Sequence, residues 1–245
     1  MGDFSNGVDN QDRKVALRAV QTGKISQEEM KAAVILMAAF AFLSGLVLLY
    51  LGLKDAPLEV WGTFLGLGVA SIAAAIAYTV GKRPYGYMGL GDLSVFLFFG
   101  LIGTAGTYYL QTFSLNLALF LPASGCGFLS VAVLNLNNLR DIENDIKTGK
   151  NSIPVRIGKT FGFYYQQFLY LAAIACFYAY PFVAGIKVNG VQQLLIVGIY
   201  PIIQLSRELN SGMSAAQIDP YLKKTALRTL FLILVFGVIQ ILTSQ

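Results

Sequence analysis

The sequence predicts an all-α protein, a polytopic bundle of transmembrane helices. Three observations predict it. Apolar residues make up 56% of the 245 and charged ones only 13%, and the mean hydropathy is +0.62, values of an integral membrane protein rather than a soluble globule. The apolar residues gather into seven runs, most reaching or approaching the ~20 residues a helix needs to cross the hydrocarbon core. They are too uniformly apolar for barrel strands, which alternate, so helix is the state that satisfies their backbone in lipid.

Taken in order, Met1 to about Lys31 is polar and charged, neither a secretory signal nor a span. The predicted spans are Ala32–Leu53, Val60–Val80, Leu93–Leu110, Leu115–Leu136, Phe161–Val183, Val191–Leu205 and Ala226–Leu242, the sixth being the shortest. Alternating them puts sixteen of the eighteen basic residues on one side and leaves only Lys54 and Lys187 opposite. By the positive-inside rule that side is cytoplasmic. Basic residues confined to short loops between spans also argue against a nucleic-acid partner. No second domain is visible, so residues 1–245 read as one transmembrane domain with a cytoplasmic segment at 1–31. Cys126 and Cys176 lie far apart inside apolar runs and read as packing residues. Histidine is absent, which excludes it as base or metal ligand within this chain.

Polar residues near a span are the informative ones. Asn135, Asn137 and Asn138, at the inner end of the fourth span, fit a cavity open to the cytoplasm. Pro122, Gly125 and Gly127 in that span allow a kink or close packing, and packing is the expectation. Trp61 reads as an interfacial anchor. Where the fourth helix leaves the membrane the chain reads Asn137-Asn-Leu-Arg-Asp-Ile-Glu-Asn-Asp145, then Lys147, Lys150 and Arg156. If the helix continues, Asn137, Asp141 and Asp145 share one face at i, i+4 and i+8, with Glu143 turned away. Two carboxylates one turn apart repel and call for a cation. Mg²⁺ suits them because it takes one or two carboxylates and leaves sites for phosphate oxygens. Arg140, Lys147, Lys150 and Arg156 complete an anion site. The alternative is a solvated helix end with snorkelling cations. In the loop Tyr78–Asp92, Lys82 and Arg83 suit a diphosphate, and Tyr78, Tyr85 and Tyr87 suit an aromatic ring. That loop reads equally as an interfacial turn with a tyrosine belt. The last cytoplasmic loop, about Arg207–Thr225, reads as a snorkelling boundary.

These loops resemble the UbiA superfamily of intramembrane aromatic prenyltransferases, over essentially the whole chain. The strongest matches are Asn137–Asp145 with Gly149-Lys150 and Pro154-Val-Arg156, and Arg83-Pro-Tyr-Gly-Tyr-x-Gly-Leu-Gly-Asp92. Among family members it is most similar to those acting on 1,4-dihydroxy-2-naphthoate. The family's second aspartate motif falls on Asn137, Asp141 and Asp145, and its tyrosine–lysine loop motif on Tyr78 and Lys82. Asp92 stands where glutamate is expected. The first aspartate motif is reduced to Gly2-Asp3, followed by Asp9, Asp12 and Arg13. The family implies nine helices against the seven here, so two N-terminal helices are expected upstream, about fifty residues.

The resemblance implies a polyprenyl diphosphate held at the cytoplasmic mouth. Mg²⁺ would lie between its phosphates and Asp141, Asp145, Asp3 and Asp9. Lys82, Arg83, Arg140, Lys147, Lys150, Arg156 and Arg18 would take the remaining negative charge, with catalytic roles for Asp141, Asp145, Lys82 and Tyr78. It implies ionisation to an allylic cation, attack by the naphthoate ring, and loss of CO₂ and pyrophosphate, in a bacterial inner membrane. Rival expectations are another aromatic acceptor (4-hydroxybenzoate or homogentisate) and a cation-coupled transporter, although no repeat of the transporter kind is found.

Overall fold

The computed structural model describes residues 18–81, 84–188 and 190–243. All seven apolar runs are helical, and among the described residues six helices are long and apolar enough to cross a membrane. The chain forms two compact units. One holds the described residues through Gly91 together with Asn144–Asn151; the other holds Asp92–Glu143 and Ser152–Gln245.

The first unit is built on α1 (Gln27–Gly52) and α2 (Leu58–Thr79). Ser26 starts α1 with a reciprocal cap: its hydroxyl accepts from the Glu29 backbone N–H at 3.2 Å, while the Glu29 carboxylate accepts from the Ser26 N–H at 2.8 Å. Leu53, fully buried, ends α1. The Trp61 indole N–H donates to its carbonyl at 2.8 Å, so the expected interfacial anchor also clamps the α1–α2 turn. The rest of both helices presents apolar side chains outward, such as Leu36, Phe40 and Leu51. Helices apolar on nearly every side suit hydrocarbon, where outward apolar groups cost nothing.

The second unit is organised around α4 (Phe120–Arg140). It is flanked by α3 (Gly91–Thr112), α7 (Lys159–Val183) and the last helix, α10 (Ala215–Thr243). Two short helices, α5 (Ile142–Lys147) and α6 (Ile153–Ile157), lie between α4 and α7 in the chain, and α8 (Gly190–Gln193) and α9 (Leu195–Glu208) precede α10. Close packing is what the α4 glycines provide. A Cβ on Gly125 would lie 2.7 Å from the Phe177 ring, and one on Gly100 of α3 would lie 2.6 Å from the Gly127 Cα. Residues Phe96–Ile102 of α3 are π-helical where α3 meets α4.

Three expectations are corrected here. The sixth run, Val191–Leu205, is split into α8 and α9, and the 14 residues of α9 reach only about 21 Å, short of a full crossing. The helix expected to carry Asn137, Asp141 and Asp145 together stops at Arg140, with Asp141 as its C-cap and Asp145 on the separate α5. Asn135 does not open to the cytoplasm. It is fully buried, donating through Nδ2 to the Gly162 carbonyl at 3.0 Å and the Gln166 amide oxygen at 2.8 Å, so it ties α4 to α7.

Candidate active site

In the second unit the site grows from the last turn of α4. The Asp141 N–H bonds the Asn137 carbonyl at 3.1 Å, which closes the helix and leaves the Asp141 side chain beside Arg140. The Arg140 guanidinium grips this carboxylate through Nε at 2.8 Å and Nη2 at 2.9 Å. Nη2 also donates to the Asn137 amide oxygen at 2.7 Å, and Nη1 to Asp219 Oδ1 at 2.7 Å. The Arg140 side chain is 4% exposed and Asp141 7%, while Asp219 is 42% exposed. A planar five-donor fork explains why one arginine can serve three acceptors. Asp219, near the start of α10, corrects the reading of that loop as a simple boundary.

In the first unit Asp145 is almost completely buried, and Lys150 Nζ lies 3.2 Å from its Oδ2. The loop supports the pair: the Lys150 N–H bonds the Asp145 carbonyl at 2.9 Å, and Gly149 takes φ +73°, a left-handed conformation that suits glycine. The Asn151 N–H bonds the Tyr87 carbonyl at 2.9 Å, fixing this loop to the 3₁₀ turn Tyr85–Met88. Tyr85 donates its hydroxyl to the Ala74 carbonyl at 2.9 Å and meets Tyr78 edge-on, with centroids 5.4 Å apart. Gly86 is required there, because a Cβ would lie 2.6 Å from the Tyr78 carbonyl oxygen.

Of the four basic residues in and after the aspartate motif expected to bind anions, Arg140 and Lys150 are buried against carboxylates, whereas Lys147 and Arg156 are exposed. Glu143 is exposed, as its turned-away position anticipated, and Arg18 is exposed at the start of the described residues. Asp3, Asp9, Lys82 and Arg83 lie outside them.

Among the described residues no three acidic, cysteine or histidine side chains gather to hold a metal ion. Taken singly, Asp141 and Asp145 are donors of the kind Mg²⁺ takes: each is buried and offers only oxygen, and a hard divalent ion takes one or two carboxylates with its other sites left to water and phosphate; each is ion-paired with a basic side chain, which the metal would have to share.

The model of the UbiA prenyltransferase family matches residues 3–218. The 1,4-dihydroxy-2-naphthoate octaprenyltransferase of Haemophilus influenzae is 49% identical over 76% of this chain and 60% of its own length. The protein of that name from Escherichia coli is 40% identical over 100% of this chain and 78% of its own length. That from Mycobacterium tuberculosis is 35% identical over 71% of this chain and 58% of its own. The chain thus spans about three fifths of the first and third of these relatives and about four fifths of the second. No solved structure matches. With the aspartate-bearing helix end at its centre and the family model covering most of its length, this multi-pass membrane chain belongs to the UbiA prenyltransferase family.

Proposed function

We propose that the protein transfers a polyprenyl group from polyprenyl diphosphate to 1,4-dihydroxy-2-naphthoate, releasing CO₂ and pyrophosphate and giving demethylmenaquinol. The observation that carries this reading is the 40% identity along the whole chain to a relative named for that acceptor. The buried, arginine-gripped Asp141 at the end of α4 is consistent with it. An octaprenyl donor, as in the relatives' names, fits the same reading.

Asp141 and Asp145 would hold Mg²⁺, joined in this proposal by Asp3 and Asp9. When bound, the ion would neutralise the departing diphosphate. Arg140 holds and orients Asp141 while Asn137 and Asp219 fix the arginine; Lys150 holds Asp145. Lys147 and Arg156, with Lys82, Arg83 and Arg18, supply positive charge for phosphate oxygens. Tyr78 and Tyr87 are assigned to substrate contact, and Tyr85 to substrate contact through its ring, its hydroxyl being held by Ala74. The naphthoate ring then attacks the allylic carbon as its bond to the diphosphate oxygen breaks, and decarboxylation restores aromaticity. In this proposal the loops face the cytoplasm from a bacterial inner membrane, a sidedness that the distribution of basic residues supports.

The test is an acceptor panel on membranes containing the protein, with product identified by mass. Only the naphthoate should be prenylated rapidly; faster transfer to 4-hydroxybenzoate or homogentisate would overturn the acceptor, and cation flux without any prenylated product would overturn the reaction class.

A further inference from the structure

Asp92 is a carboxylate that the motif at Asn137–Asp145 does not use. It is 9% exposed at the start of α3. Its partner among the described residues is a neutral phenol, the Tyr165 hydroxyl of α7, which donates to Oδ2 at 3.0 Å, and no basic side chain among them pairs with it. Asp141 and Asp145, by contrast, each have a cation in hand. A buried carboxylate held only by neutral donors, the Tyr165 hydroxyl and its own backbone N–H, is costly, and these leave part of its acceptor capacity unused. At the edge of a membrane span such a group is by default functional.

What surrounds the pair narrows the ligand. Tyr165 stacks on Phe168 with the rings 6.4 Å apart and 16° from parallel. Phe168 meets Phe128 of α4 edge-on at 6.2 Å, and Phe128 meets Phe96 of α3 at 4.9 Å. The row depends on Gly127, where a Cβ would lie 2.7 Å from the Phe96 ring, and Phe96 opens the π-helical stretch, a distortion that recurs at functional sites. Phe168 is more than half exposed. A line of aromatic rings ending on a carboxylate and a tyrosine hydroxyl suits a flat aromatic ring bearing hydroxyl groups. The ring lies on the apolar wall while a ring hydroxyl donates to the carboxylate.

We infer that Asp92 and Tyr165, with the aromatic row Phe96, Phe128 and Phe168, form the binding site for the hydroxylated ring of the aromatic acceptor. The inference rests on the prenyl-transfer reading above. Asp92 accepts from a ring hydroxyl, Tyr165 holds Asp92 in place, and the Asp141 and Asp145 sites are left to the donor. A metal or ammonium cation is the other ligand a lone carboxylate attracts, but the run of aromatic rings that ends on Tyr165 favours the arene.

The experiment uses the full chain in proteoliposomes, as wild type, Asp92→Asn, Asp92→Glu and Tyr165→Phe. Binding of radiolabelled 1,4-dihydroxy-2-naphthoate is measured anaerobically in chelator, where no turnover occurs, and KM for acceptor and donor is measured separately with Mg²⁺. The expected result is that Asp92→Asn weakens acceptor binding on the order of ten-fold or more, the effect of losing a hydrogen bond to a charged acceptor. Acceptor KM should rise to match while donor KM stays within about two-fold. Tyr165→Phe should do the same more weakly, and Asp92→Glu should restore much of the binding. Unchanged acceptor binding in Asp92→Asn, or acceptor and donor constants rising together without rescue by Asp92→Glu, would overturn the site. If wild type binds the ring but forms no prenylated product, the transfer reading fails instead, and the two failures are separable.

Discussion

Arg140 joins Asp141, Asn137 and Asp219 through four hydrogen bonds, and the exposures of its partners rank their importance. The Arg140–Asp141 pair is buried on both sides, so removing one partner strands a charge, at a cost of roughly 3–5 kcal/mol. Asp219 is 42% exposed, and a pair of that kind contributes about 0–1 kcal/mol. Arg140→Lys, which keeps the charge but loses the fork, is therefore expected to lower prenyl transfer at least about ten-fold, and Asp219→Asn only a few-fold. Rates in membranes check the order, and a larger loss from Asp219→Asn would reverse it. Asp141→Asn and Asp145→Asn should each abolish turnover; near-normal rates at ordinary Mg²⁺ would remove these residues from metal binding. The motif that carries Asp141 and Asp145 was visible in the sequence because it is local, its metal role being part of the proposal. Asp219 was not, being 79 residues from Arg140, and the same holds for Tyr165, 73 residues from Asp92. A single chain gives no signal for such pairings beyond an acid among the basic residues before the last span.

The spans were legible because apolar length alone specifies a helix in lipid. Where they pack was not, since helices apolar all round carry no amphipathic stripe to read. The breaks were equally silent: nothing local in Leu139-Arg140-Asp141-Ile142 announces that α4 ends there, and the π-helical Phe96–Ile102 reads as an ordinary apolar run. The glycines of α4 pack closely, as their place in an apolar run leads one to expect, and the packing they share with α3 is measurable. Gly100→Ala would place a Cβ 2.6 Å from the Gly127 Cα and 2.9 Å from the Ala123 carbonyl oxygen. Backbone cannot move aside as a side-chain tip can, so about 1–3 kcal/mol of stability should be lost, read as a lowered unfolding midpoint in detergent. Asn135→Ala removes two interhelical hydrogen bonds. In a membrane such bonds contribute about 0.6 kcal/mol each and at most about 1.7, so the loss should be no larger than that of Gly100→Ala. An Asn135→Ala variant much the less stable of the two would mean that the Asn135–Gln166 contact holds α4 to α7 more strongly than the packing of α3 on α4.

Across the whole chain, the apolar composition, the long apolar helices and the family assignment agree on a multi-pass membrane protein. In the proposed reaction a chain without histidine would meet a departing diphosphate with carboxylates and basic side chains, and among the described residues the buried pairs Arg140–Asp141 and Lys150–Asp145 hold such groups. The reaction proposed for them has a signature that neither another acceptor nor ion transport reproduces. Membranes containing this chain would receive 1,4-dihydroxy-2-naphthoate labelled in its carboxyl group and a polyprenyl diphosphate, with Mg²⁺ and then with excess chelator. Labelled CO₂ and a prenylated quinol are expected in equal amounts with the metal, and neither with the chelator. A prenylated product that retains the label, or release that chelation leaves unchanged, would contradict it.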